Sequence, residues 1–116
     1  MVNRIVVGAH YGLKDWLIQR LSAIVMAIYA VLFVVQVWAL PSFDLVHWRA
    51  LFAGGFMRIA SFLFLLALVY HAWIGVRDIF MDYIKPTGIR LLLHTVTVLF
   101  LAGCLGWGAQ ILWRVQ

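Results

Sequence analysis

The run HAWIGVRDIFMDYIKP, residues 71–86, decides how this chain is read. It continues an apolar segment that starts near Ser61, and it ends in a charged turn at Lys85-Pro86. Taken as a helix, it brings His71, Gly75, Asp78 and Asp82 onto one face, at i, i+4, i+7 and i+11. That face carries a metal-competent imidazole, then a residue whose missing side chain would clear a flat macrocycle, then two carboxylates approaching water. Asp82-Tyr83 falls about 16 Å along the axis from His71, at about 1.5 Å per residue. The pattern points to a haem inside a membrane, with a redox-active small molecule at the membrane edge.

Composition sets the class. The chain has 116 residues, of which 66% are hydrophobic and only 11% charged, with a mean hydropathy of +1.04. A water-soluble domain carries roughly 25% charged residues, so the deficit places this chain in a lipid bilayer. Its net charge of +5 comes from Lys and Arg scattered singly between apolar runs. Without a basic stripe there is no case for nucleic-acid binding, and the charge reads as membrane-topology charge. A single cysteine, Cys104, excludes an internal disulfide and the Cys-x-x-Cys-His attachment of a c-type haem. Any haem is therefore held non-covalently. Cys104, among apolar neighbours, reads as a small packing residue.

Outward from residues 71–86, the chain resolves into three spans with no repeat, linker or low-complexity segment. Residues 1–20 form a polar-basic head with Arg4, His10, Lys14, Asp15 and Arg20. The uncharged run from Leu21 to Phe43 is 23 residues, longer than the core of a signal peptide, so it is expected to span the membrane and end near Leu40-Pro41. Ala23, Ala27 and Ala30 share a stripe on it that would admit a neighbouring helix. His47-Trp48-Arg49 opens a short interfacial stretch, and Arg58 snorkels to the interface. The second span uses the 18 uncharged residues from Ile59 to Val76 and continues as helix to about Tyr83, where Pro86 stops it. A third uncharged run, Leu91 to Trp113, again has 23 residues, with Ala102 and Gly106 as a small-xxx-small pair and Gly103 and Gly108 thinning the same region. The expected fold is an all-α membrane protein forming one domain over residues 1–116, with spans at about 17–40, 58–83 and 90–113.

Lys and Arg set the orientation. The head and second loop hold six (Arg4, Lys14, Arg20, Arg77, Lys85, Arg90), while the first loop and C-terminus hold three (Arg49, Arg58, Arg114). The positive-inside rule then puts the N-terminus and the Asp82-Tyr83 loop in the cytoplasm and the C-terminus outside it.

Of the four histidines, His71 lies within a span, where an ionisable residue is a functional candidate. It is either an axial ligand of haem iron or an interhelical hydrogen-bonding group facing a Ser or a carbonyl. His94 sits nearer the cytoplasmic edge than His71, so the two match poorly as ligands of one iron. The second ligand is expected on another chain, with His94 as an interfacial donor and His10 and His47 solvated. Arg20 is either a topology anchor or a partner for a haem propionate or quinone pocket, since its forked donors suit carboxylates. Tyr83 can donate to a quinone carbonyl and Asp82 can relay protons, as quinone reduction requires. The competing reading of that dipeptide is helix-end solvation. Asp78 is expected to pair with Arg77 or Lys85, and Lys14 and Asp15 to form a solvated head.

Three stretches together resemble a known family: DWLIQRLSA (15–23) before the first span, HAWIG (71–75), and DYIKP (82–86). In order, spacing and span count they are similar to the hydrophobic membrane-anchor subunit of bacterial succinate dehydrogenase (complex II), over nearly the whole chain. The resemblance implies a non-catalytic-alone subunit of an oxidoreductase complex in the bacterial inner membrane. It implies pairing with a similar three-helix, cytochrome b-type subunit, and docking of iron–sulfur and flavoprotein subunits on the cytoplasmic face. It implies haem b with His71 as an axial ligand, ubiquinone hydrogen-bonded by Tyr83, Asp82 serving the quinone pocket and its protons, and Arg20 near the propionates and quinone. Some members carry a histidine where this chain has Lys14. The alternatives are a fumarate-reductase-type anchor and a non-redox structural membrane protein.

Overall fold

Within a hydrocarbon layer every backbone N–H and C=O must be paired inside the chain, so uncharged runs of this length become helices. The computed structural model describes residues 7–115, with side chains from Gly12 onward. Arg4 and the side chain of His10 lie outside the described residues. Four helices follow one another: α1 (Val7–Trp38), α2 (Leu45–Ala53), α3 (Gly55–Tyr83) and α4 (Thr87–Arg114), with no strand among the described residues. Of these, α1 from Gly12, α3 and α4 are long and apolar enough to cross a membrane. Each overruns its apolar stretch at the watery end, most of all α1, because Lys14, Asp15, Gln19 and Arg20 do not break a helix.

The boundaries have local causes. Past Trp38 the Leu40 N–H tightens onto the Val37 carbonyl, and Pro41 cannot continue the helix. Asp44 caps α2: its carboxylate accepts the His47 backbone N–H at 2.8 Å, the Ser42 hydroxyl at 2.8 Å and the His47 ring at 2.7 Å. Those donors, the backbone N–H foremost, lower its pKa to about 2. At the other end of α3, the Ile84 N–H closes on the Phe80 carbonyl at 2.9 Å, and Pro86 is the N-cap of α4. The Arg90 Nε–H then reaches back to the Ile84 carbonyl at 3.1 Å and staples the turn.

The central helix is α3, with α1 packed along one side and α4 along the other. The α2 helix folds onto the far end of α1, where Trp48 and Phe52 meet Phe33. Arg58 does not extend freely toward solvent. Its guanidinium binds the backbone carbonyls of Val115 (2.8 Å) and Ala53 (3.4 Å), joining the start of α3 to the end of α4. The close approach of α3 and α4 is at Gly108, where an added Cβ would stand 2.7 Å from Leu65 Cδ1, and not at Gly103 or Gly106, which face open space. Ala23, Ala27 and Ala30 are likewise exposed, with Ala30 at the edge of a groove it shares with Ser61, Phe64 and Leu65. Side chains such as Ile28, Val31, Leu99 and Phe100 are about two-thirds uncovered, an outer surface suited to lipid or to other transmembrane helices.

Candidate functional site

Polar side chains, not small ones, hold α1 against α3. From the Tyr83 end inward, Asp15 pairs with Arg77, Ser22 meets His71, and Tyr29 meets Ser61 at 2.6 Å. On α1 these residues are seven apart, the repeat that keeps one stripe of a helix against a neighbour. Asp15 is thus half-buried in an ion pair and does not belong to a solvated head. Arg77 reaches Asp78 only at 3.8 Å, so its principal partner is on α1.

His71 is the middle contact. Its Nδ1 lies 3.1 Å from Ser22 Oγ, and Ser22 Oγ donates to the Gln19 carbonyl at 3.0 Å. A serine hydroxyl has one hydrogen. With that hydrogen directed at Gln19, the one between serine and imidazole comes from Nδ1–H. The neutral ring then carries its lone pair on Nε2, which makes no hydrogen bond among the described residues. The two sequence-level readings of His71, serine partner and metal ligand, occupy opposite nitrogens of the same ring and are compatible.

Beside this contact the side chain of Gln19 lies over Gly75, its Nε2 3.8 Å from where a glycine Cβ would be, while its Oε1 is buried with no partner among the described residues. The expected clearance at Gly75 therefore opens toward α1. Among the described residues no three His, Cys, Asp or Glu side chains gather to enclose a metal ion. A metal held here would have to need fewer than three such ligands from this chain, and haem iron, with one or two axial ligands, meets that condition.

Arg20 is exposed, with its guanidinium 5.7 Å from the Trp16 ring centre and no carboxylate partner among the described residues. Asp82 and Tyr83 occupy the last turn of α3, both exposed, Tyr83 at 78%. Helix continuity from Gly55 to Tyr83 keeps Asp82 on the His71 face, close to three turns away.

His94 departs from the sequence reading. It is wedged between Trp73 and Phe80, ring centres 5.5 and 5.8 Å away, and its Nε2 is buried with no hydrogen-bond partner among the described residues, a packed position in place of the expected interfacial one. It meets the α4 side of α3, whereas His71 faces α1. His47, expected to be solvated, is engaged by Asp44 and Ser42. Ser22 was missed as a site residue. The signal for it was present: Asp15, Ser22 and Tyr29 are polar groups at a seven-residue interval entering an apolar helix.

Residues 3–105 match the sequence model of a family described as succinate dehydrogenase/fumarate reductase transmembrane subunit. Over 102 residues the chain is 37% identical to the succinate dehydrogenase hydrophobic membrane anchor subunit of Coxiella burnetii (strain RSA 493 / Nine Mile phase I). That alignment covers 88% of this chain and 89% of the relative.

Proposed function

This chain belongs to the succinate dehydrogenase/fumarate reductase transmembrane subunit family, and on that premise we propose that it helps hold haem b and ubiquinone and passes electrons from the complex's iron–sulfur subunit to the quinone. The observation that carries this reading is the bonding of His71. Its Nδ1 is engaged with Ser22, leaving Nε2 as a nitrogen donor within the span. Bound there, haem supplies one-electron redox chemistry at a fixed depth. The same donor favours a haem-bearing anchor over a haem-free one of the fumarate-reductase type. His94 is enclosed by Trp73 and Phe80 on the α4 side of α3, away from the α1 side where His71 makes its contact, so a second ligand to the iron would be supplied by another chain, the three-helix cytochrome b-type partner. The exposed alanine stripe of α1 is a surface on which such a partner can pack.

At the Tyr83 end the chain's own groups suit quinone reduction, which consumes two electrons and two protons. The Tyr83 hydroxyl donates to a quinone carbonyl oxygen, and Asp82, on the same turn and open to water, takes up and hands on protons. Arg20, without a carboxylate partner among the described residues, offers its charge to a haem propionate or to the quinone pocket. This end faces the cytoplasm of a bacterium, where the iron–sulfur and flavoprotein subunits dock, and the C-terminus faces the periplasm.

The test is affinity purification of the tagged chain from its native membranes in mild detergent, followed by a reduced-minus-oxidised spectrum with succinate as sole reductant. A b-type haem band with co-purifying flavin and iron–sulfur subunits is expected. Their absence would overturn the proposal.

A further inference from the structure

The hydrogens between α1 and α3 run in one direction, from the His71 ring to Ser22 and from Ser22 to the Gln19 carbonyl. Ser22 is 6% exposed, so water cannot readily take its place. We propose that Ser22 is the positioning residue of His71: it fixes the Nδ1–H tautomer, locks the ring's rotation and directs the Nε2 lone pair toward the iron. This rests on His71 being the haem ligand. It adds a residue that does not touch the haem and whose effect is electronic as well as geometric.

Three features support the assignment. The first is hydrogen counting. If Ser22 donated to the ring, the Nδ1 lone pair would be the acceptor and the proton would sit on Nε2, blocking ligation. The Gln19 carbonyl takes the serine hydrogen and prevents this. The second is the chemistry of metal-bound histidines, which usually donate their other N–H to an acceptor that orients the ring and makes it a stronger base. A hydroxyl oxygen already donating elsewhere is such an acceptor. The third is that Ser22 is not needed simply to join the helices, because Asp15–Arg77 and Tyr29–Ser61 tie the same pair on either side of it.

A stronger base stabilises the oxidised iron, so losing this hydrogen bond has a predictable sign. In the intact purified complex, Ser22→Ala is expected to keep haem while moving its reduction potential positive and broadening its low-spin electron paramagnetic resonance signal. Ser22→Thr, which retains the hydroxyl, is expected to stay close to the parent. Ser61→Ala is the control, since it removes a hydrogen bond between the same two helices away from His71 and should leave the potential unchanged. Should Ser22→Ala fail to assemble, Ser22→Cys replaces it, similar in size with a weak acceptor, and the same sign is expected.

An unchanged potential in Ser22→Ala, or an equal shift in Ser61→Ala, would overturn the positioning role. His71→Ala separates this from failure of the underlying reading. If His71→Ala leaves the haem spectrum intact, His71 is not the ligand and the role of Ser22 goes with it. If His71→Ala alters the haem but Ser22→Ala does not, only the positioning role is lost.

Discussion

Arg77 on α3 and Asp15 on α1 form an ion pair that closes the Tyr83 end of the helix pair, each side chain a little under one-third exposed. The contact bridges 62 residues of sequence and lies seven residues before Ser22 on α1 and six after His71 on α3. A pair at this exposure lies between the weak surface ion pair and the costly buried one.

Its loss is expected to loosen the helix pair without removing cofactors. Asp15→Asn and Arg77→Gln should each destabilise the complex, and a double-mutant cycle should give a coupling of about 1 kcal/mol. Thermal unfolding of the complex in detergent at low and high salt measures it. Additive effects would show that the two residues do not interact.

Tyr83→Phe removes one hydroxyl and little else, because the side chain is exposed at the end of α3. Losing one hydrogen bond to the substrate should lower quinone reduction roughly tenfold. Succinate oxidation with an artificial soluble acceptor should persist at the parent rate. Equal loss of both activities would count against a quinone role.

Gly108 and Gly103 should respond differently. Gly108→Ala puts a methyl against Leu65, whose flexible end must move, at a cost of about 1–3 kcal/mol. Gly103→Ala meets nothing in this chain. Comparing the melting temperatures of the two variant complexes checks the difference. A penalty at Gly103 as large as that at Gly108 would mean that another chain packs there.

The α2 cap carries a pH signature. Folding lowers the Asp44 pKa from 3.8 to about 2, so its contribution is full above the unfolded value and is lost as pH falls toward 2. The protection of the α2 amides against hydrogen exchange in lipid nanodiscs, taken relative to the intrinsic exchange rate at each pH, should therefore fall over that window. Asp44→Ala should show reduced protection at neutral pH already and lack the transition.

How far the sequence carried differs between fold and site. Uncharged runs near bilayer length, with Pro41 and Pro86 after the first two, marked the three long helices, and His47-Trp48-Arg49 marked the interfacial stretch that forms α2, because length and charge are local quantities. Packing faces were harder to read. Ala23, Ala27 and Ala30 looked like the contact stripe of α1, yet Asp15, Ser22 and Tyr29 make the contact. In lipid an apolar face meets hydrocarbon or protein at similar cost, so hydropathy does not distinguish them. Gly108 was separated from Gly106 only by the register of α3 against α4, which is a long-range property. His94 was misread for the same reason, since nothing near it in sequence announces that Trp73 and Phe80 enclose it.

The three polar contacts between α1 and α3 also constrain how the chain can assemble. Each joins groups of different chemistry, an ion pair, a serine with an imidazole, and a phenol with a serine. Slide α1 by one turn, about 5.4 Å, and all three mismatch together, leaving charged and polar groups opposite hydrocarbon. A purely apolar seam would tolerate that slip. This one works as a key with unlike teeth, so that two helices inserted separately into the bilayer have a single alignment in which to lock.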